Sequence, residues 1–165
     1  MIHPAIRKHQ LRDASIYWLI IPASVIFSGK GVDWIFGLPS LCFPPIQYVL
    51  SFVFFVLGLL LIRAATIQLE NAGGTPNPLR PAKRLVTSGV YSLCRHPMFL
   101  GYDLCALAVS IFLGSLGMII LSYPTFLLLE IRFLRKEEKI LGLKFKQTYA
   151  EYKNSVPFLI PFTFK

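Results

Sequence analysis

The chain has 165 residues, enough for one domain. It is 55% hydrophobic and 15% charged, with mean hydropathy +0.60, against roughly 25% charged residues in soluble domains, so the composition is that of a membrane protein rather than a soluble enzyme. The net charge is +9, but the basic residues stand beside apolar runs, which suits acidic lipid headgroups and the positive-inside bias. With no nucleic-acid-binding motif, no nucleic acid is expected as a partner.

In chain order, Arg7, Lys8 and Arg12 precede an apolar run, as in a signal peptide, but no small-x-small cleavage site follows, and the run reads as a retained first helix. This first span covers about Ala14 to Phe27, with an extension toward Phe36 left open, and Pro22 predicts a kink or tilt. Gly29-Lys30-Gly31, Pro39, Pro44 and Pro45 mark a connecting loop. A second span runs from about Ile46 to Ile62, continuing toward Leu69, with Arg63 placed to snorkel. Glu70 to Arg84 is a polar loop in which Gly73-Gly74-Thr75-Pro76-Asn77-Pro78 and Pro81 forbid regular helix.

Pro97 to Arg135 would be about 58 Å long as one helix, nearly twice the roughly 30 Å hydrocarbon core. It would also put Arg95 and the Arg132/Arg135 pair on opposite sides. Gly114-Ser115-Leu116-Gly117 predicts a turn instead, with spans at about Pro97–Leu113 and Leu116–Phe133. Glu130 to Lys153 then has an amphipathic helical pattern, closed by Pro157 and Pro161. Nearly all Lys and Arg fall in the N-terminal tail, the Glu70–Arg95 segment and the C-terminal tail, which predicts both termini cytoplasmic. The expected fold is all-α and polytopic: about four transmembrane helices, the last two a tight hairpin, plus a C-terminal amphipathic cytoplasmic helix. Residues 1–165 form one domain. Cys42, Cys94 and Cys105 have no CxxC spacing, so neither a disulfide framework nor a metal site is expected.

The chemistry concentrates between Leu85 and Gly101. Pro97 suits the first position of a helix whose free N–H groups attract an anion or carboxylate, and Arg95 beside it can pair with the same anion or with lipid phosphate. Glu137-Glu138, among Arg132, Arg135, Lys136 and Lys139, reads first as a solvated helix with ion pairs three or four residues apart. Asp103, about a turn inside the third span, is either an interfacial group or a functional one.

Together, Leu85-Val86-Thr87-Ser88-Gly89-Val90-Tyr91, Arg95-His96-Pro97-Met98-Phe99-Leu100-Gly101, Glu137-Glu138, Tyr149-Ala150-Glu151-Tyr152-Lys153 and Val156-Pro157 resemble the isoprenylcysteine carboxyl methyltransferase family and its bacterial and phospholipid-methylating relatives. The resemblance covers about Gly73 to Pro161. It implies an integral-membrane enzyme that uses S-adenosylmethionine, with residues 1–72 as N-terminal spans and 73–165 as the cofactor-binding half. The implied cofactor residues are Leu85, Val86, Tyr91, His96, Pro97, Met98, Phe99 and Glu137. Phe99 stands where the family commonly has Tyr. Phe133 stands where it has a substrate-binding Arg, four residues before the cofactor glutamate, which leaves nearby Arg132 as the candidate substrate residue.

The residue chemistry agrees with that resemblance. Free N–H groups near His96-Pro97 suit the cofactor's carboxylate, Glu137 can accept from its ammonium or ribose, and Tyr91, Phe99 and Tyr149 can face its sulfonium. Methyl transfer needs alignment more than an acid–base dyad, and no catalytic acid or base stands out. The expected acceptor is lipophilic, a small molecule or a lipidated substrate, with its carboxylate, amine or thiol unspecified. A non-catalytic scaffold of the same fold and a sterol-reductase-like NADPH enzyme are the alternatives.

Overall fold

The computed structural model describes residues 20–74 and 83–161. Its elements are α1 (Ile21–Phe36), α2 (Ile46–Asn71), a 3-10 turn (Gly89–Ser92), α3 (Pro97–Phe112), a π-wound turn (Met118–Ser122) and α4 (Tyr123–Ser155). No strand occurs among the described residues, as an all-α fold requires. The expected first-span residues 14–19 and most of the Gly73–Pro78 loop lie outside the described residues.

Helix α2 is built inside out relative to a soluble helix. Its buried face is Gln47, Ser51, Gly58, Ile62 and Ala65, while Phe52, Val53, Leu57 and Leu60 are exposed. Small and polar residues therefore face the protein and large apolar ones face outward, the pattern of a helix solvated by lipid. With 26 residues it is about 39 Å long, and among the described residues it is the helix long and apolar enough to cross a membrane. Helix α3, apolar but 16 residues long, packs chiefly on α2. The two backbones meet at Gly58 and Gly101: a Cβ on Gly58 would stand 2.6 Å from the Gly101 carbonyl oxygen, and a Cβ on Gly101 would stand 2.8 Å from the Gly58 carbonyl oxygen.

The predicted turn between α3 and the fourth helix is present, with Gly114 at φ +57°. Three residues of α1 and α2 hold it. Gln47 Nε2 donates to the Ile111 and Phe112 carbonyls at 2.8 and 3.0 Å, satisfying acceptors at the α3 C-terminus. Asp33 accepts from Ser115 Oγ at 2.5 Å and from the Gly117 N–H at 2.7 Å, while Lys30 Nζ donates to the Leu113 carbonyl at 3.2 Å. The expectation of a loop at Gly29-Lys30-Gly31 is thereby corrected: these residues are helical within α1. Lys30 and Asp33, four residues of spacing or less from Gly29, work from the helix surface, and Gly29 itself lies against Met118. The helix stops at Gly37, which takes the left-handed conformation of a C-cap.

Below the turn, α3 and α4 diverge rather than pack tightly along their length, and a cavity opens between them and α1. Pro124, in the first turn of α4, lacks an N–H, and the turn before it is π-wound. The stretch expected as a fourth span and the amphipathic segment are one helix, interrupted at Lys146 (φ 46°, ψ −120°), so that Tyr149, Tyr152 and Val156 pack against Leu85, Leu141 and Phe145. The helix ends at Ser155, before Pro157.

Candidate functional site

The Leu85–Gly101 strip is clamped by the end of α4 and the segment after it. Tyr152 Oη donates to the Tyr91 carbonyl at 2.7 Å, and the Arg95 N–H donates to the Pro157 carbonyl at 2.9 Å. Arg95 Nε donates to Glu138 Oε1 at 2.5 Å and Nη1 donates to the Val156 and Lys153 carbonyls at 2.5 and 3.1 Å, while the guanidinium stands 5.5 Å from the Phe158 ring centre. Arg95 is thus a buried strut holding the C-terminal segment, which corrects the reading of it as a residue paired with a bound anion or lipid phosphate.

Glu138 is buried too, which overturns the solvated-helix reading for that residue. Its partners are Arg95, His96 at 3.6 Å and Lys153 at 3.4 Å, drawn from the segment leading into α3 and from beyond the Lys146 break. Burial alone would raise its carboxyl, but the His96 ring and the Arg95 guanidinium outweigh it and hold the pKa at about 2. Glu137 behaves oppositely. Burial raises its carboxyl above the ordinary value; His96 pulls it back and the Glu138 charge pushes it further up.

Around this ion pair three buried polar atoms lack a close hydrogen bond: Glu137 Oε2, His96 Nε2, whose nearest acceptor is Glu138 Oε1 at 3.6 Å, and Tyr149 Oη, whose phenol faces Glu138. Buried polar groups are rarely left unsatisfied, so such a cluster is a place prepared for a ligand's own donors and acceptors. It lies at the start of α3, where Pro97 takes the first-turn position expected of it. An imidazole, a carboxyl group and a phenol beside a helix N-terminus fit a ligand that carries an ammonium, hydroxyl groups and a carboxylate.

Not all the expected residues converge there. Phe99 does connect to it, with its ring centre 6.5 Å from that of His96 and 6.1 Å from that of Phe133. Leu85 packs on the Tyr149–Tyr152 cluster. Tyr91, Met98 and Val86 instead turn toward α2, in a core with Ile62 and Ala65, and Thr66 Oγ1 donates to the Met98 sulfur at 3.8 Å. Arg132 is exposed and does not line the cavity, whereas Phe133 does.

The cavity has a volume of about 540 Å³, within the usual range for small-molecule sites, and opens between α1, α3 and α4. Its walls are mostly apolar. Asp103 and Glu130 are exceptions, and their carboxyl groups are hydrogen-bonded to each other. Glu130 had no role in the sequence reading. The signal available was its place as the one acid in the apolar run from Met118 to Ile131.

The chain is similar over 117 residues, at 35% identity, to the protein-S-isoprenylcysteine O-methyltransferase of Saccharomyces cerevisiae, covering 65% of this chain and 48% of that protein. It is 27% identical to the protein of the same name from Schizosaccharomyces pombe, over 92% of this chain and 69% of the relative. A third similarity, 34% identity over 82 residues, is to the cobalt-zinc-cadmium resistance protein CzcN of Cupriavidus metallidurans, covering 50% of this chain and 38% of that one. The chain therefore spans about half the length of the budding-yeast relative. The profile of the phospholipid methyltransferase family matches residues 46–148, which include α2, α3, the Leu85–Gly101 strip, Glu137 and Glu138, and on this extent the chain belongs to that family.

Proposed function

We propose that this chain is a membrane-embedded, S-adenosylmethionine-dependent methyltransferase acting on a lipophilic acceptor at the cytosolic membrane face, like the isoprenylcysteine methyltransferases. The observation that carries the reading is the cluster of His96 Nε2, Glu137 Oε2 and Tyr149 Oη, buried and without close hydrogen bonds where family membership expects the methyl donor. Residues 73–165 supply that site and residues 1–72 support it. The four described helices run as a multi-pass bundle, with both termini and the basic end of α4 on the cytosolic side.

Bound there, the donor supplies a methyl group made electrophilic by its positively charged sulfur. Glu137 would accept hydrogen bonds from the donor's ammonium or ribose, and the early N–H groups of α3 would receive its carboxylate. His96 Nε2 and Tyr149 Oη would supply further hydrogen-bonding groups to it. Phe99 and Phe133 form the apolar partition between this site and the cavity. The Arg95–Glu138 pair fixes the C-terminal segment over the strip, and alignment of donor and acceptor depends on that rigidity.

The test is binding of radiolabelled S-adenosylmethionine to the purified full chain in detergent. Saturable binding that weakens in Glu137→Ala is expected. No binding in the parent chain, together with no effect of Glu137→Ala, would sink the proposal.

A further inference from the structure

We infer that Gln68, in the last turn of α2, is a specificity-determining residue for the methyl donor: its amide oxygen accepts a hydrogen bond from the exocyclic amine of the donor's purine. The inference rests on the methyl-transfer reading and deepens it, by naming the residue that reads the end of the donor opposite the His96–Glu137 cluster.

The residues expected to touch the donor fall into two places. His96, Phe99 and Glu137 gather at the start of α3, whereas Val86, Tyr91 and Met98 turn toward α2. The donor has two unlike ends. One carries an ammonium and a carboxylate, and suits the first place. The other is a purine, apolar on both faces, with its hydrogen-bonding groups confined to the edge. It suits the second place, where Leu69, Val86, Val90 and Met98 make an apolar surface beside the Tyr91 ring. Tyr91 joins the two. It packs with Ile62, Ala65 and Met98, yet the Glu137 charge adds to burial in raising its hydroxyl above the ordinary value.

At this second place one polar atom is open. Gln68 Oε1 is buried without a hydrogen-bond partner, and among the described residues it is the one such side-chain atom that belongs neither to the His96–Glu137 cluster nor to the cavity between α1, α3 and α4. Its position is fixed by the turn opposite. Gly89, just before Val90 and Tyr91, has φ +62°, and a Cβ there would stand 2.7 Å from Gln68 Cδ and 2.8 Å from Oε1. Glycine both permits that backbone and leaves room for the amide. An amide oxygen has lone pairs and no hydrogen, so its missing partner is a donor. On the edge of an adenine the exocyclic amine is that donor, whereas the unsubstituted ring nitrogens accept.

The experiment uses the purified full chain in detergent and two probes: S-adenosylhomocysteine, and its analogue with hydrogen in place of the purine amine. Affinities are measured by calorimetric titration. The parent chain should bind S-adenosylhomocysteine about tenfold more tightly than the analogue. The analogue offers no new acceptor at that carbon, so turning the amide over cannot restore the lost bond. Gln68→Met, similar in size, should bind the two probes within about twofold of each other, while Gln68→Glu keeps an acceptor and should keep the preference. Gly89→Ala leaves Gln68 in the chain but puts a methyl group where its amide rests, and should also abolish the preference. Each readout is a ratio of two affinities in one preparation, so partial loss of folded protein does not imitate it. Equal affinities in the parent chain overturn the inference and leave the methyl-transfer reading standing. A preference that survives in Gln68→Met or in Gly89→Ala overturns it too, as does one lost in Gln68→Glu. A parent chain that binds neither probe overturns the methyl-transfer reading itself, and the inference with it.

Discussion

Replacing Glu138 with Gln removes one charge from the buried Arg95–Glu138 pair and leaves the Arg95 guanidinium, whose side chain is 9% exposed, without its counter-ion. Breaking such a pair from one side costs on the order of 3–5 kcal/mol. The Glu138 carboxyl points the same way, held at about 2 against an ordinary 4.5 by the His96 ring and the Arg95 guanidinium. Because the folded pKa is the lower one, the stabilisation is fully present above pH 4.5 and is lost as the pH falls through about 2. Thermal melts of the parent chain and Glu138→Gln in detergent, taken from pH 7 down to pH 3, check both size and sign. The variant should melt about 6–12 °C lower at pH 7. The gap should then narrow steadily below pH 4.5, because the parent chain is losing what the variant never had. A gap that stays constant across this range, or no gap at pH 7, would refute the assignment of Arg95 and Glu138 as a structural strut.

Asp33→Ala should lower stability by about 1–3 kcal/mol, seen in the melting temperature, because it leaves the Ser115 hydroxyl and Gly117 N–H without their acceptor; donor binding at the other end should not change. Gly58→Val should prevent close packing of α2 on α3, costing at least about 2 kcal/mol and seen as loss of a monodisperse peak on size-exclusion chromatography, because its Cβ meets backbone as well as the Cys105 side chain. Tyr149→Phe removes a hydroxyl that makes no close hydrogen bond, so its melting temperature should change little while S-adenosylmethionine affinity falls about 5–10-fold in calorimetric titration.

Much of the site was legible because its residues are contiguous. Leu85 to Gly101 is one strip, and Pro97 at a helix start follows from the missing N–H and fixed φ of proline. The Glu137-Glu138 pair was legible as a pair, but the sequence singled out Glu137. That Glu138 is the ion-paired member, held by Arg95 and His96, depends on a segment 43 residues away in sequence. The same limit hid the work of Lys30 and Asp33. Their glycine neighbours read as a loop, and only the approach of the Gly114 turn shows why the segment stays helical.

By itself, then, the sequence determined what local covalent structure and composition control. Apolar runs become helices with lipid-like outer faces, Gly114 turns the chain, Pro157 follows the end of the last helix, and the Leu85–Gly101 strip carries the polar chemistry. Tertiary structure alone decided which charges pair and which are left open. Arg95 was taken out of the binding role by Glu138 and the Val156 carbonyl, whereas His96, Glu137 and Tyr149 were left with unmatched atoms. Asp103 was set against Glu130 across a cavity that neither helix contains alone. The physical reason is range: dihedral preferences and hydropathy act within a few residues, whereas burial, hydrogen bonding and charge pairing depend on neighbours that only the packed fold supplies.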